Sequence, residues 1–364
     1  MKKLFFIAAM AGAALVSCTK NDVAPSVTEQ NEITFATPVV GNLTKAVTGE
    51  IGTDYDKNES FVVFGWYCTE DSFDPNNASL YMNGLKVSHV PGINADTDEG
   101  DQGAWKTEHT YYWPKNGKLT FSAFSPYGVE AKTVSCDVTT GLALSEFTVK
   151  DSPADQYDLL YSDRAYNKTT SIGQVNPIYD GVDIQFRHAL SSIHVKVKTD
   201  MTYPVGTITV NKIELQNVYC TADFKEGLVT GKETESYGTA AWSAHNNSKV
   251  ITIGSTAQEV VYDAAKYGTT ALLIPQEFDH NTDGIVTLKV DYTIKNGDGT
   301  TLPQYASFKL NEYSGKIGGI DTGLVSQWVK GYRYTYNLTI GLTEVYFAPA
   351  VEEWKDMEVE LPKI

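Results

Sequence analysis

The sequence predicts an all-β protein built as two tandem antiparallel β-sandwiches, on three observations. Apolar and polar residues alternate with a period of two in segment after segment, the mark of strands with one buried face. Glycine and tyrosine are abundant, at 29 and 22 residues, a mixture that suits short strands joined by turns. At 364 residues the chain is too long for one small sandwich and long enough for two.

From the N-terminus, Lys2 and Lys3 precede an apolar run over residues 4–16 that is too short to settle as a transmembrane helix, so residues 1–17 are expected to be a secretion signal. The run ends in Leu15-Val16-Ser17-Cys18, which resembles the bacterial lipobox, with an apolar residue three before the cysteine and a small one just before it. That resemblance implies cleavage between Ser17 and Cys18 and acyl chains on Cys18 that hold the mature chain to a membrane. Each buried methylene contributes about 0.8 kcal/mol, so several chains anchor durably where one holds marginally. Residues 18–31 are polar, contain Pro25 and show no period, and read as a flexible tether.

Half-buried strands are expected at residues 33–35, 119–124, 193–198 and 286–294, with further candidates at 208–215, 250–253, 271–274, 332–340 and 357–361. Clusters such as Asn296-Gly297-Asp298-Gly299 supply the turns. The first sandwich is assigned to residues 32–181 and the second to 182–364, with the boundary just after the Pro177 region. Beyond Cys18 the cysteines are Cys68, Cys136 and Cys220, an odd number with no CxxC spacing, so buried thiols are expected and at most one disulfide.

A net charge of −16 repels a phosphate backbone, which excludes nucleic acid as an expected partner. The nucleophile elbow, HExxH helix, P-loop and dinucleotide fingerprint are all missing from the sequence, and no catalytic activity is expected. His188 and His194, with Asp183 nearby, are the strongest acid-base candidates, yet alternation sends His194 to the polar face of its strand and a structural role is preferred. Residues 94–101, Asn94-Ala95-Asp96-Thr97-Asp98-Glu99-Gly100-Asp101, place oxygen ligands at alternate positions as calcium requires. The glycine comes one place late and no glutamate stands at position twelve, so a solvated loop without metal or cofactor is expected. Trp105, Tyr111-Tyr112-Trp113 and Trp242-Ser243-Ala244-His245 are candidates for stacking on a glycan, against the default of core packing.

Taken in order, several segments resemble the fimbrillin-like surface lipoproteins of Bacteroidetes, the family of major and minor fimbrial subunits and Mfa-like proteins. They are the lipobox at Cys18, Glu32-Ile33-Thr34-Phe35-Ala36, Leu43-Thr44-Lys45-Ala46, the run from Phe61 to Tyr67, and Tyr112-Trp113-Pro114. Further along come Tyr157-Asp158-Leu159-Leu160-Tyr161, Phe186-Arg187-His188-Ala189-Leu190, Leu272-Leu273-Ile274-Pro275-Gln276, Gly331-Tyr332-Arg333-Tyr334-Thr335-Tyr336 and Val351-Glu352-Glu353-Trp354. The resemblance implies two transthyretin-like sandwiches and a fimbrial subunit or adhesin on the outer membrane and cell surface. It also implies proteolysis after a basic residue, here between Lys45 and Ala46, that removes a first strand carrying Ile33 and Phe35. A strand from another fimbrial subunit, or from a second copy, then fills the groove. Lys45 stands where the family uses arginine, and no arginine precedes Arg164. The implied partners are other subunits, the outer membrane through the acyl chains, and a glycan or host-surface receptor.

Overall fold

The run Phe61-Val62-Val63-Phe64 abandons the period of two because its strand, Ser60–Cys68, is covered on both faces. Phe61 and Val63 enter one apolar core, and Val62, Phe64 and Trp66 enter another. The computed structural model describes residues 32–41, 53–70, 72–91, 103–169, 181–200, 206–227, 240–260, 262, 267–280, 283–317, 320–341 and 345–353. Cys18, Lys45, Ala46, loop 94–101 and the strand expected at 357–361 lie outside the described residues. As the sequence predicts, the protein is all-β: the helical pieces among the described residues are the short 3-10 turns Pro153–Asp155 and Leu310–Glu312.

Ser60–Cys68 lies inside a first sheet whose order is Thr53–Asp54, Val39–Val40, Gln185–His188, Leu160–Ser162, Lys118–Ser125, Ser60–Cys68, Ser79–Val90, Ala104–Thr107. Ala165–Lys168 also pairs with Lys118–Ser125. On Lys118–Ser125, Leu119, Phe121 and Ala123 fill the smaller core. The intervening Thr120 and Ser122 are buried too, and both are satisfied: Thr120 Oγ1 accepts from the Asn167 amide at 3.1 Å and Ser122 Oγ from Arg164 Nε at 3.3 Å.

The larger core lies between two further sheets and also takes Val62, Phe64 and Trp66 from the first. The spine of one is Gly206–Lys225, which pairs with Thr287–Asn296 and then Gly141–Thr148 along one edge, and with Gln258–Val260 and Ala241–Gly254 along the other. The other sheet runs Tyr267–Leu273, Ser191–Thr199, Tyr332–Ile340, Val345–Glu353. Period-two burial places Ile193, Val195 and Val197 from one sheet against Leu288, Val290 and Tyr292 from the other in a shared core.

Sheet membership does not follow the midpoint of the chain. The hairpin Thr133–Asp137 with Gly141–Thr148 joins the later strands, because Leu142, Leu144 and Phe147 belong to the larger core. Gln185–His188 joins the earlier strands, because Phe186 belongs to the smaller one. Cys68, Cys136 and Cys220 are free thiols, and burial pushes Cys220 up to about 11.

Candidate functional site

Ile33 and Phe35 are two residues apart, so an extended chain sends both side chains to one side. Both are 1% exposed and fill the smaller core, where Phe35 meets Phe61 and Phe121 edge-on at ring-centroid distances of 5.8 and 5.7 Å. Their backbone is held on both edges. On one side the Ile33 amide donates to the Tyr111 carbonyl at 2.7 Å, and Phe35 and Trp105 exchange bonds of 2.9 and 3.3 Å. On the other, the Val182 amide donates to the Thr34 carbonyl at 2.8 Å and the Ala36 amide to the Val182 carbonyl at 3.1 Å. Val39 and Gly41 continue that side with bonds to Ile184 and Phe186 of 3.1 and 3.0 Å.

Residues 32–41 therefore link the Ala104–Thr107 end of the first sheet to the chain entering Gln185–His188, and close the sheet around its core. The seam is tight. A Cβ on Gly181 would lie 2.2 Å from the Ala36 nitrogen and from the Phe35 carbonyl carbon, so only glycine fits there. At the entrance Lys106 Nζ bonds Glu32 Oε2 at 3.0 Å, and at the exit the Tyr55 amide donates to the Pro38 carbonyl at 2.9 Å. The sequence singled out Ile33 and Phe35, but Trp105 and Tyr111 only as glycan-stacking candidates and Val182 not at all. Trp105, offered as a glycan-stacking ring, is instead 1% exposed and packs on Tyr55 and Phe61 in this core.

The acid-base candidates resolve into separate contacts. His188 Nδ1 lies 2.5 Å from Asp158 Oδ2, next to the Arg187–Asp163 ion pair, while His194 Nε2 lies 3.2 Å from Thr270 Oγ1. Among the described residues no group of three or more His, Cys, Asp or Glu side chains is arranged to hold a metal ion.

A family model described as fimbrillin-like matches residues 44–354. The chain belongs to the fimbrillin-like family. The match begins one residue before Lys45, so the closing segment 32–41 precedes it. Among solved structures, a fimbrial protein of Bacteroides vulgatus aligns over 88% of this chain and 100% of its own, at 17% identity and a TM-score of 0.55, and shares the fold. A candidate cell adhesion protein of Bacteroides uniformis aligns over 89% and 99% at 14% identity and a TM-score of 0.49. A fimbrilin of Porphyromonas gingivalis aligns over 88% and 98% at 11% identity and a TM-score of 0.41. No curated protein matches significantly. The family description names fimbrillins, and the solved structure that shares the fold is a fimbrial protein.

Proposed function

We propose that this fimbrillin-like protein is a fimbrial subunit or surface adhesin made as a lipid-anchored precursor. Signal cleavage between Ser17 and Cys18 and acylation of Cys18 tether it to the outer membrane through residues 18–31. Two transthyretin-like units, read from the sequence as residues 32–181 and 182–364, then stand at the cell surface, with the hairpin 133–148 in the sheet of the later strands and Gln185–His188 in that of the earlier ones. Proteolysis between Lys45 and Ala46 separates the body of the protein from both Cys18 and the closing segment, so a single cut releases the anchor and opens the first sheet. An extended strand from another subunit, or from a second copy, enters the vacated groove. An adhesive subunit also takes a glycan or host-surface receptor as partner.

The observation that carries this reading is the two-edged hydrogen bonding of residues 32–36 around two fully buried side chains. Withdrawal of the segment leaves main-chain groups of Trp105, Tyr111 and Val182 unpaired. It also forfeits about 1.5–3 kcal/mol of apolar burial for each of Ile33 and Phe35. A groove of that kind selects an incoming strand with apolar side chains two residues apart. Val345–Glu353, at the C-terminal end, pairs with Tyr332–Ile340 and must leave that pairing to serve as donor. With no arginine before Arg164, the processing protease must accept lysine.

Mass spectrometry of the N-terminus in membrane and shed-surface fractions tests the reading. Chains that begin at Ala46 in assembled material are the expected result. Chains that all retain acylated Cys18 overturn polymerisation by strand exchange and leave an anchor subunit or a non-polymerising binder.

A further inference from the structure

The last aromatic group singled out in the sequence, Trp242 with His245, lines a groove of about 610 Å3. That volume falls inside the roughly 300–1,000 Å3 of small-molecule sites. The groove is built from chain segments far apart in sequence and fixed by main-chain bonds. Glu277 bridges Gln327, the Phe278 amide donates to the Ser326 carbonyl at 2.8 Å and the Trp328 amide to the Gln276 carbonyl at 2.9 Å. The Gln276 side chain is bonded to both main-chain groups of Tyr219, at 2.8 and 3.1 Å.

The rings are set in place as well. Trp242 Nε1 donates to the Ala189 carbonyl at 2.7 Å, and His245 Nε2 lies 2.8 Å from the Pro275 carbonyl. Tyr219 stacks on His280 with centroids 4.0 Å apart, and its hydroxyl donates to Asp283 Oδ2 at 2.7 Å. Around these rings the lining carries Glu277, Asp279, Gln327 and Lys330, two carboxylates, an amide and an ammonium.

This donor and acceptor set restricts the ligand class. An apolar ligand would strip water from two carboxylates and a lysine without replacing their hydrogen bonds. An anion meets two carboxylates and a chain of net charge −16. A neutral sugar satisfies both requirements, since each hydroxyl donates to a carboxylate and accepts from an ammonium or amide while the ring C–H face lies on an aromatic side chain. We propose that this groove binds the neutral hexopyranose end of a surface glycan. The inference deepens the adhesive part of the function proposed above and is independent of strand exchange.

The test is titration of the unprocessed chain with lactose, chitobiose and mannobiose, read by tryptophan fluorescence and calorimetry, because the half-buried Trp242 lines the groove. Saturable binding of at least one disaccharide is expected, with Kd raised about tenfold or more by His245→Ala and separately by Lys330→Met. Gln327→Ala, at an exposed position, serves as a third variant should either of the others melt early. No binding of any of the three sugars at millimolar concentration overturns the inference, and so does binding that folded variants leave unchanged. Polymer formation by processed material of the same preparation is scored separately. Sugar binding without polymer breaks strand exchange alone, and polymer without sugar binding breaks this inference alone.

Discussion

The two described ends of the chain close their sheets in different ways. Val345–Glu353 covers one edge of the four-stranded sheet in unbroken register, from Val345 opposite Ile340 to Glu353 opposite Tyr332. Residues 32–36 meet neighbours on both edges through isolated bridges, and put Ile33 and Phe35 into the middle of a core. Loss of the first would uncover an edge and draw Val351 from the larger core; loss of the second takes the fully buried Ile33 and Phe35 out of the smaller one. A segment that is locally short of ladder bonds yet central to packing is held by tertiary contacts, and those are lost all at once when it is cut free. This contrast is what favours the N-terminal segment in the strand exchange proposed above.

Phe35→Asp breaks the comparison most forcefully. Deletion of a buried phenylalanine costs about 3–5 kcal/mol and an unpaired buried carboxylate adds to that, so urea unfolding of the precursor should show a loss of at least this size. Precursor stability equal to wild type would place residues 32–36 outside the core. The larger core is probed by pH. Burial raises Glu226 to about 7, against the weaker lowering effects of the Leu142 amide and Arg164. The folded pKa lies above the unfolded value of 4.5, so the unfolded chain gives up this proton first. The stabilisation is complete below that value and is lost as pH rises toward 7, by about 3 kcal/mol in total. Glu226→Gln should remove that slope from denaturation midpoints measured across the same range, and a slope identical to wild type refutes the assignment.

Gly181→Ala sharpens the contrast at the seam. Its Cβ collides with the backbone at Phe35 and Ala36, and overpacking of this kind costs about 1–3 kcal/mol. Limited proteolysis should then clip the N-terminal segment sooner, while Val345–Glu353 keeps wild-type protection. The smallest effect belongs to Lys106→Ala. Its ion pair with Glu32 joins a lysine side chain 34% exposed to a glutamate side chain 18% exposed, and partly solvated pairs contribute less than about 1 kcal/mol. A melting shift as large as that of Gly181→Ala would mean that the entrance, not the seam, holds the segment.

The period of two was a good guide wherever one face of a strand is wet. Residues 332–340 were expected as a strand and form Tyr332–Ile340, and 193–198 lies inside Ser191–Thr199. The strand expected at 208–215 runs on to Lys225, and after a shift of register between Leu215 and Val218 the alternation resumes at Val218, Cys220, Ala222 and Phe224. Ser79–Val90 was not foreseen because only Met82 and Val87 among its side chains are buried, and it exists by pairing with Ser60–Cys68. At the site, the spacing of Ile33 and Phe35 was legible. Their partners were not, because Trp105 and Val182 are brought alongside by packing that no local pattern encodes. Trp105 itself looked like a binding ring, since a large aromatic gives the same signal in sequence whether it faces water or a core.

Ser60–Cys68 belongs to both cores, and that sets an order of events during synthesis. The strand leaves the ribosome early, and the core that Val62, Phe64 and Trp66 join is completed by residues such as Phe124, Leu142 and Tyr161, which follow much later. Until they arrive, a β-prone segment rich in aromatic and branched residues, without a charge, stands open to other nascent copies. Synthesis of this protein therefore runs a race between completion of the chain and self-association, and crowded expression should lower its yield more steeply than its final stability suggests.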